Sequence, residues 1–129
     1  MVIDSSALIA VLLDEPEAEL FAGVLARGDR CLLCAFTALE TGIVIESKKG
    51  DQGGREFDLL LYKLEADIIP MDNGQYRLAR EAWRKFGKGR HPAALNMGDC
   101  CSYALAKFTG EPLLYKGNDF SKTDITAVI

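Results

Sequence analysis

The sequence lacks any long apolar run and any recognisable export signal. No stretch of the 129-residue chain approaches the roughly 20 consecutive apolar residues that span a bilayer. Only Met1, Val2 and Ile3 precede the first acidic residue, Asp4, so the basic segment and the cleavage site of a secretory signal are missing. We therefore expect a soluble protein of the cytoplasm.

The sequence also has little with which to build a zinc site. His91 is the only histidine, and the four cysteines are Cys31, Cys34, Cys100 and Cys101. Cys31 and Cys34 have the spacing of half a zinc site, but their neighbours predict a strand, where positions three apart point to opposite faces. A tetrahedral zinc site needs four converging ligands. We expect buried, reduced thiols instead.

An excess of positive charge is absent as well. The chain has 15 basic and 19 acidic residues, a net charge of −4, which excludes a protein that coats nucleic acid by bulk charge but allows a local basic site. Apolar residues make up 49% and charged residues 26%, an ordinary globular composition. With no internal repeat, low-complexity tract or linker, residues 1–129 are predicted to form one domain.

Short apolar segments alternate with helical patterns along the chain. Strands are predicted at 1–3, 30–34, 67–70, 113–115 and 125–129. Helices are predicted at 5–13, 16–27, 36–47, 55–66, 73–86 and 98–108, with Ser5 or Ser6 as the first cap and a break at 49–54. This alternation predicts an α/β fold with a central parallel sheet covered on both faces.

Two acidic residues directly follow predicted strands. Asp4 ends the first strand, and Asp119 follows the segment 113–115 after a tight turn. The carboxyl ends of parallel strands lie at one edge of a sheet, where ligands bind, so both acids are expected there. Each also has an ordinary alternative role, Asp4 as a helix cap and Asp119 as a turn residue.

Two further acids lie on predicted helices. Glu40 shares a helical face with Phe36, Ile43 and Val44, so its side chain is predicted to point toward the core. A glutamate there is unfavourable for stability, which suggests a chemical role. Asp99 opens a helix, where capping and the helix dipole are sufficient reasons for an aspartate.

Taken together, the four acids indicate a cation site. Carboxylates crowded at one edge raise one another's pKa unless a cation is present. Oxygen ligands without histidine or thiolate suit Mg²⁺ or Mn²⁺. Two such ions about 3.5–4 Å apart activate a water and stabilise the leaving oxygen of a phosphodiester. The set therefore predicts metal-assisted phosphoryl transfer.

A basic segment follows in the sequence. Between positions 77 and 90 there is one acid, Glu81, among six bases, which are Arg77, Arg80, Arg84, Lys85, Lys88 and Arg90. A solvated helix face is the ordinary explanation of such a run. The glycine-flanked loop 87–91 favours phosphate binding, because flexible loops carry binding residues. Arg84, Lys88 and Arg90 are the candidate RNA-binding residues.

The order and spacing of these motifs resemble a known family. The segments DSSAL at 4–8, Glu40 in the helix after the second strand, LNMGD at 95–99 and LYKGNDF at 114–120 are similar to PIN-domain ribonucleases, in particular to VapC-type toxins of bacterial type II toxin–antitoxin pairs. The resemblance covers essentially the whole chain. It implies a three-layer α/β/α sandwich, an Mg²⁺- or Mn²⁺-dependent endoribonuclease, and a homodimer. It also implies inhibition by a cognate antitoxin, which lays a C-terminal segment across the acidic site.

The resemblance also implies roles for individual residues. Asp4 and Asp99 match the principal metal ligands, Glu40 completes the site, and Asp119 holds a metal directly or through water. Ser6 lies near the family's small hydroxyl position, where it can bond a carboxylate or a water. The fourth acid is the most variable part of the family pattern, and here Asn118 precedes it.

Three other interpretations fit parts of the pattern. A metal-dependent phosphatase of the haloacid-dehalogenase type needs a second aspartate two residues after Asp4, where this chain has Ser6. A receiver domain needs paired acids at the end of the first strand. A PIN-fold binding partner with weak catalysis is disfavoured because all four acids are present. The sequence does not identify the RNA target.

Overall fold

Four short parallel strands form the centre of the protein in a computed structural model that describes residues 1–129. Along the chain they are β1 (Val2–Ile3), β2 (Leu32–Cys34), β3 (Asp67–Ile69) and β4 (Leu113–Leu114). Their order in the sheet is β3-β2-β1-β4, with every pair parallel. The crossovers between parallel strands are helical, as the alternating sequence pattern predicts.

Five helices and one short 3₁₀ turn connect and follow the strands. They are α1 (Ser5–Leu12), α2 (Ala18–Leu25), α3 (Ala35–Lys63), α4 (Asn73–Phe86), α5 (Met97–Thr109) and the 3₁₀ turn Phe120–Lys122. The helix of residues 73–86 begins and ends where the sequence predicts. No helix is both long and apolar enough to cross a membrane.

The sheet separates two apolar cores. One contains Val2 and Leu32 of the strands together with side chains of α4 and α5, and the other contains Ile3 and Leu33 together with α1, α2 and the second half of α3. Neighbouring strand residues thus face opposite layers, because side chains alternate along a strand. The predicted α/β/α sandwich is confirmed.

The same alternation explains the cysteines. Cys31 belongs to one core and Cys34 to the other, so their thiols lie on opposite sides of the sheet as predicted. All four cysteines are buried and free.

One predicted strand is wrong, and one predicted break between helices is shorter than expected. Residues 125–129 form no strand, and only Ala127 pairs with Leu113 in an isolated bridge. The expected break at 49–54 is reduced to a kink at Gly50, whose φ of 64° and ψ of −157° separate two helical halves of α3. A single glycine is sufficient because it adopts positive φ without a steric cost.

Two details of the first and third helices also differ from the prediction. The cap of α1 is not Ser5 or Ser6 but Asp4, which confirms the alternative role given for it above; its side chain accepts a hydrogen bond from the backbone N–H of Ser6. In the first half of α3 the buried residues are Thr37, Thr41 and Ile45, whereas Ile43 is 59% exposed. The apolar stripe predicted around Glu40 is therefore wrong, because contact with α5 and the sheet selects a more polar face of this helix.

Candidate active site

Asp4 lies at the carboxyl end of β1, beside the end of β4. Its backbone N–H donates to the carbonyl of Leu114 at 2.9 Å, which ties the two strand ends together. The residue is only 2% exposed, so its carboxylate requires hydrogen-bonding partners.

Three hydrogen bonds hold the Asp4 carboxylate. Oδ2 accepts from the backbone N–H of Ser6 at 3.1 Å and from the Ser6 hydroxyl at 2.6 Å. Oδ1 accepts from the hydroxyl of Ser102, on α5, at 2.6 Å. Ser6 Oγ in turn accepts from the backbone N–H of Lys116, just after β4, at 3.0 Å. The side chain is thus attached to three different elements of the fold.

Asp99 lies in the first turn of α5 and forms a capping box with Asn96. The Asn96 side chain accepts from the backbone N–H of Asp99 at 2.9 Å, and Asp99 Oδ2 accepts from the backbone N–H of Asn96 at 3.0 Å. The capping role that the sequence left open is therefore real. It uses one carboxylate oxygen of Asp99 and leaves the other without a hydrogen bond within the protein.

The electrostatic surroundings of Asp99 set it apart from an ordinary cap. Burial raises the pKa of its carboxyl to about 6, against the lowering effect of the Asn96 N–H. The negative charges of Asp4, Asp119 and Glu40 raise this pKa further. The other three predicted acids therefore all lie near enough to Asp99 to act on it, and we call the four acids the acidic edge.

Glu40 can lie at this edge because the residue that its carboxylate contacts on α5 is a glycine. The carboxylate of Glu40 lies against Gly98 of α5 so closely that a Cβ on Gly98 would be 2.7 Å from Glu40 Oε2. Any larger residue at position 98 would push the glutamate away. Glu40 is half-buried, and its position beside α5 follows from the α3–α5 contact rather than from the predicted stripe.

Asp119 is the most loosely held member of the acidic edge. It is exposed, precedes the 3₁₀ turn Phe120–Lys122, and makes no side-chain capping bond. No three histidine, cysteine, aspartate or glutamate side chains come close enough together to form a ready-made metal site. The four carboxylates of the acidic edge thus lie near one another but do not form a complete metal coordination shell.

The donor set nevertheless fits a hard divalent cation. All its ligating atoms are carboxylate oxygens, which Mg²⁺ and Mn²⁺ prefer. Burial is the main reason that the pKa of Asp99 is raised, and the three neighbouring carboxylates add to it, so a cation would favour the ionised form of this group. Mg²⁺ commonly takes only one or two protein carboxylates and retains waters, so a dedicated cage is not required.

The predicted RNA-binding residues lie on the exposed side of α4 and the loop after it. Arg84, Lys88 and Arg90 are all exposed. The Arg90 guanidinium stacks over the ring of Trp83, 4.7 Å from its centroid, and its Nε donates to the carbonyl of Arg84 at 3.2 Å. We call these four residues the α4 surface.

An apolar groove joins the α4 surface to the start of α5. It has a volume of about 570 Å³ and is lined by Trp83, Lys88, Asn96 and Met97, among others. Asn96 caps α5 and Met97 opens its first turn, which also carries Asp99, so one end of the groove lies within three residues of the acidic edge in the sequence. The loop depends on glycine, because a Cβ on Gly87 would be 2.3 Å from the Trp83 carbonyl oxygen.

Sequence reasoning missed two residues that support the site. Ser102 holds Asp4, and Gly98 makes room for Glu40. Ser102 had a readable signal, since it is a hydroxyl within the otherwise apolar, buried run of α5. Gly98 had none, because only the packing of α3 on α5 shows what it contacts.

The fold and the acidic edge together define a class of protein. The family model described as "PIN domain" matches residues 1–125. The chain therefore belongs to the PIN domain family.

Relatives of similar length give a finer placement. Ribonuclease VapC of Mycolicibacterium smegmatis is 52% identical over 128 residues, covering 99% of each chain. Ribonuclease VapC30 of Mycobacterium tuberculosis is 50% identical over 128 residues, covering 99% of this chain and 98% of the relative. Within the PIN domain family the chain thus belongs with the VapC ribonucleases, which are hydrolases that act on RNA.

A solved structure shares the architecture. The crystal structure of Mycobacterium tuberculosis VapC20, described as a sarcin-ricin loop cleaving toxin, superposes with a TM-score of 0.80. The match covers 98% of this chain and 97% of that one at 15% sequence identity. At this identity the comparison supports the fold alone.

Proposed function

We propose that this protein is an Mg²⁺- or Mn²⁺-dependent endoribonuclease that acts as the toxin of a type II toxin–antitoxin pair. The observation that carries the proposal is the placement of the four carboxylates. Asp4 is held at the end of β1 by three hydrogen bonds, Glu40 lies against Gly98 of α5, and the charges of Asp4, Glu40 and Asp119 all act on the neighbouring carboxyl of Asp99. Keeping such crowded acids has a cost for the folded protein that a bound cation would remove.

The four acids have different parts in this proposal. Asp4 and Asp99 are the principal ligands, since both are held in place by hydrogen bonds from the protein. Glu40 completes the ligand set from α3. Asp119, which is exposed, contacts the cation directly or through a water.

The chain's own groups prepare the site for this chemistry. Ser6 is the supporting hydroxyl, since it fixes Asp4 Oδ2 and is itself fixed by the backbone of Lys116. When bound, a divalent cation at this edge supplies an activated water and stabilises the leaving oxygen of the phosphodiester. Burial of Asp4 keeps bulk water away from one side of the site.

The α4 surface binds the RNA backbone in this proposal. Arg84, Lys88 and Arg90 meet the phosphates, because exposed Lys and Arg side chains form the sequence-independent part of nucleic-acid affinity. The groove beside Trp83 then leads toward the acidic edge.

Two protein partners complete the proposal. A cognate antitoxin inhibits the enzyme by laying a C-terminal segment across the acidic edge. A second copy of the chain forms a homodimer, which is supported by the large apolar side chains left exposed on neighbouring elements. They are Leu39 and Ile43 on α3 and Ile68 on β3, which line one shallow pocket away from the α4 surface.

The direct test compares two aspartates at strand ends. Asp4→Asn should abolish RNA cleavage and Mn²⁺ binding by the purified protein, whereas Asp67→Asn, at the exposed start of β3, should leave both intact. RNA cleavage by the wild type should stop in EDTA and return with Mg²⁺ or Mn²⁺. Full cleavage by Asp4→Asn, or by the wild type in EDTA, would contradict the metal assignment.

A second test addresses the biological role. Expression of the chain alone should arrest bacterial growth, and the product of a small neighbouring gene should restore growth and bind the protein. Asp4→Asn should be harmless to the cell. Continued normal growth on expression of the wild-type chain would argue against the toxin role.

A further inference from the structure

Ser102 is the only residue outside the DSS segment at 4–6 whose side chain bonds the Asp4 carboxylate. It is 0% exposed, on α5, and its hydroxyl is 2.6 Å from Asp4 Oδ1. A short hydrogen bond to an ionised acceptor is among the strong ones. Ninety-eight positions separate the two residues, so the contact exists only because α5 packs against β1.

A count of acceptor positions shows what this bond does. An ionised carboxylate has about four acceptor positions, two on each oxygen. The N–H and hydroxyl of Ser6 occupy both positions on Asp4 Oδ2, and Ser102 occupies one on Oδ1. The one position left for a further ligand is on Oδ1, the oxygen that Ser102 holds.

A second hydroxyl supports Ser102 from α3. Thr37 Oγ1 is 3.4 Å from Ser102 Oγ, and both residues are fully buried. A serine hydroxyl has one proton, and that of Ser102 is directed to Asp4, so Thr37 is the donor at this longer contact. Thr37 lies one turn before Glu40, so the chain of hydroxyls connects the helix of one acid to the carboxylate of another.

We propose that Ser102 is a positioning residue, which fixes Asp4 so that Oδ1 presents its remaining acceptor position to the cation. The inference rests on the proposed function, because it assumes that Asp4 is a metal ligand. Residues that orient ligands in this way typically change metal affinity or activity about 10–100-fold when they are removed. Because Ser102 is 0% exposed, its role is to act through Asp4 rather than to contact RNA.

The test is a titration of the protein with Mn²⁺ in the absence of RNA, in which calorimetry measures the binding. Ser102→Ala should raise the Mn²⁺ dissociation constant by about tenfold or more. Thr41→Val is the matched control, since Thr41 is equally buried on α3 but its hydroxyl donates to the Thr37 carbonyl at 2.8 Å, away from Asp4. This control should lose thermal stability and bind Mn²⁺ within about twofold of the wild type.

A second variant keeps the test decisive if Ser102→Ala does not fold. Ser102→Cys retains the size of the side chain but replaces a strong donor with a weak one, and Cys100 and Cys101 already occupy the same apolar surroundings. It should also weaken Mn²⁺ binding while its melting temperature without metal remains near that of the wild type.

The outcomes separate this inference from the proposed function. If Asp4→Asn binds Mn²⁺ as tightly as the wild type, the proposed function itself fails. If Asp4→Asn loses binding but the Ser102 variant that folds binds within twofold of the wild type, Ser102 is not a positioning residue. Equal weakening by Thr41→Val would likewise overturn the inference, because the loss would then reflect general destabilisation.

Discussion

The acidic edge and the α4 surface differ in how their charged groups are held. Asp4 is 2% exposed and accepts three hydrogen bonds from fixed parts of the fold. Arg84, Lys88 and Arg90 are exposed, and the Arg90 head is held mainly by stacking on Trp83. Under the proposed function, the acidic edge would offer a cation carboxylates that are already oriented, whereas the α4 surface would meet a long polyanion with side chains that adjust to it.

The two regions also differ in their effect on the stability of the folded protein. At the acidic edge like charges are crowded and partly buried, so the pKa of Asp99 is raised to about 6. On the α4 surface the bases are exposed, so solvent and salt screen their mutual repulsion. At the acidic edge, removal of a charge should therefore reduce RNA cleavage but raise the stability of the folded protein. On the α4 surface, removal of a charge should mainly reduce RNA affinity.

The largest effect is expected from Asp99→Asn. RNA cleavage should fall by more than about 100-fold, beyond the effect of removing a mere supporting residue. The melting temperature without metal should rise, because a charge that is repelled by three carboxylates is removed while an amide oxygen remains for the capping box.

The matched control for that prediction is Asp72→Asn. Asp72 caps α4 by accepting from the backbone N–H of Gln75 at 2.9 Å, and asparagine caps helices about as well as aspartate. This variant should retain cleavage and stability. A fall in melting temperature of metal-free Asp99→Asn would show that Asp99 is mainly a structural cap.

The next largest effect is expected from Gly98→Ala. The added Cβ would lie 2.7 Å from Glu40 Oε2, so the glutamate must move away from α5. Because a displacement of about 1 Å at a reacting centre can reduce the rate about 100-fold, we expect a loss of cleavage between about 10-fold and 100-fold. Initial rates on a short RNA at saturating Mn²⁺ would measure it.

Gly23→Ala provides the comparison for Gly98→Ala. A Cβ on Gly23, within α2, would meet nothing within 4 Å. This variant should gain about 1 kcal/mol of stability from helix propensity and cleave normally. Normal cleavage by Gly98→Ala would mean that Glu40 does not need its place beside α5.

A smaller effect is expected from the double variant Lys88→Ala with Arg90→Ala. RNA affinity should fall several-fold, and the slope of log affinity against log salt should become less steep by about 0.7 for each phosphate contact that is lost. Fluorescence anisotropy with labelled RNA at several salt concentrations would measure both, with Mn²⁺ omitted to prevent cleavage.

Lys48→Ala with Lys63→Ala removes the same charge elsewhere. Lys48 lies just before the kink at Gly50, and Lys63 is the last residue of α3. Both are exposed, and neither belongs to the α4 surface. This variant should retain the wild-type salt slope. An unchanged slope in the Lys88 and Arg90 variant would identify the α4 surface as an ordinary solvated helix face.

The smallest expected effect is a change of stability with pH. The pKa of Asp99 is raised in the folded protein above its ordinary value of 3.8 to about 6, so the folded state holds this proton more tightly than the unfolded state. Its contribution to stability is therefore favourable at low pH and is lost as pH rises from about 4 to about 6.

Melting curves in EDTA across this range would detect the effect against the flatter profile of Asp99→Asn. Bound Mn²⁺ should reverse the trend, because protons compete with the cation for the carboxylate. A wild-type profile identical to that of Asp99→Asn would contradict the raised pKa.

Much of the fold could be predicted because its signals are local. Strand and helix periods, the aspartate at the end of β1 and the limits of α4 follow from residues close together in the chain. The predictions were wrong where contacts between residues distant in the sequence determine the local structure. Residues 125–129 have the composition of a strand but pair at only one position, and the buried face of α3 is set by contact with α5 and the sheet.

The sequence by itself determined the chemistry that is possible. Four acids at the appropriate positions, a single histidine, and Cys31 and Cys34 on opposite faces of a strand favour oxygen ligands and a hard cation over a zinc site. Residue identity is sufficient for that conclusion, because ligand preference depends on the donor atom.

Only the tertiary structure decided how those acids are held. Ser102 reaches Asp4 across 98 positions, and Gly98 admits Glu40 to the edge, because helix packing brings distant segments within hydrogen-bonding and van der Waals distance. No local pattern encodes such contacts. They arise when the sheet and its two helical layers close around their cores.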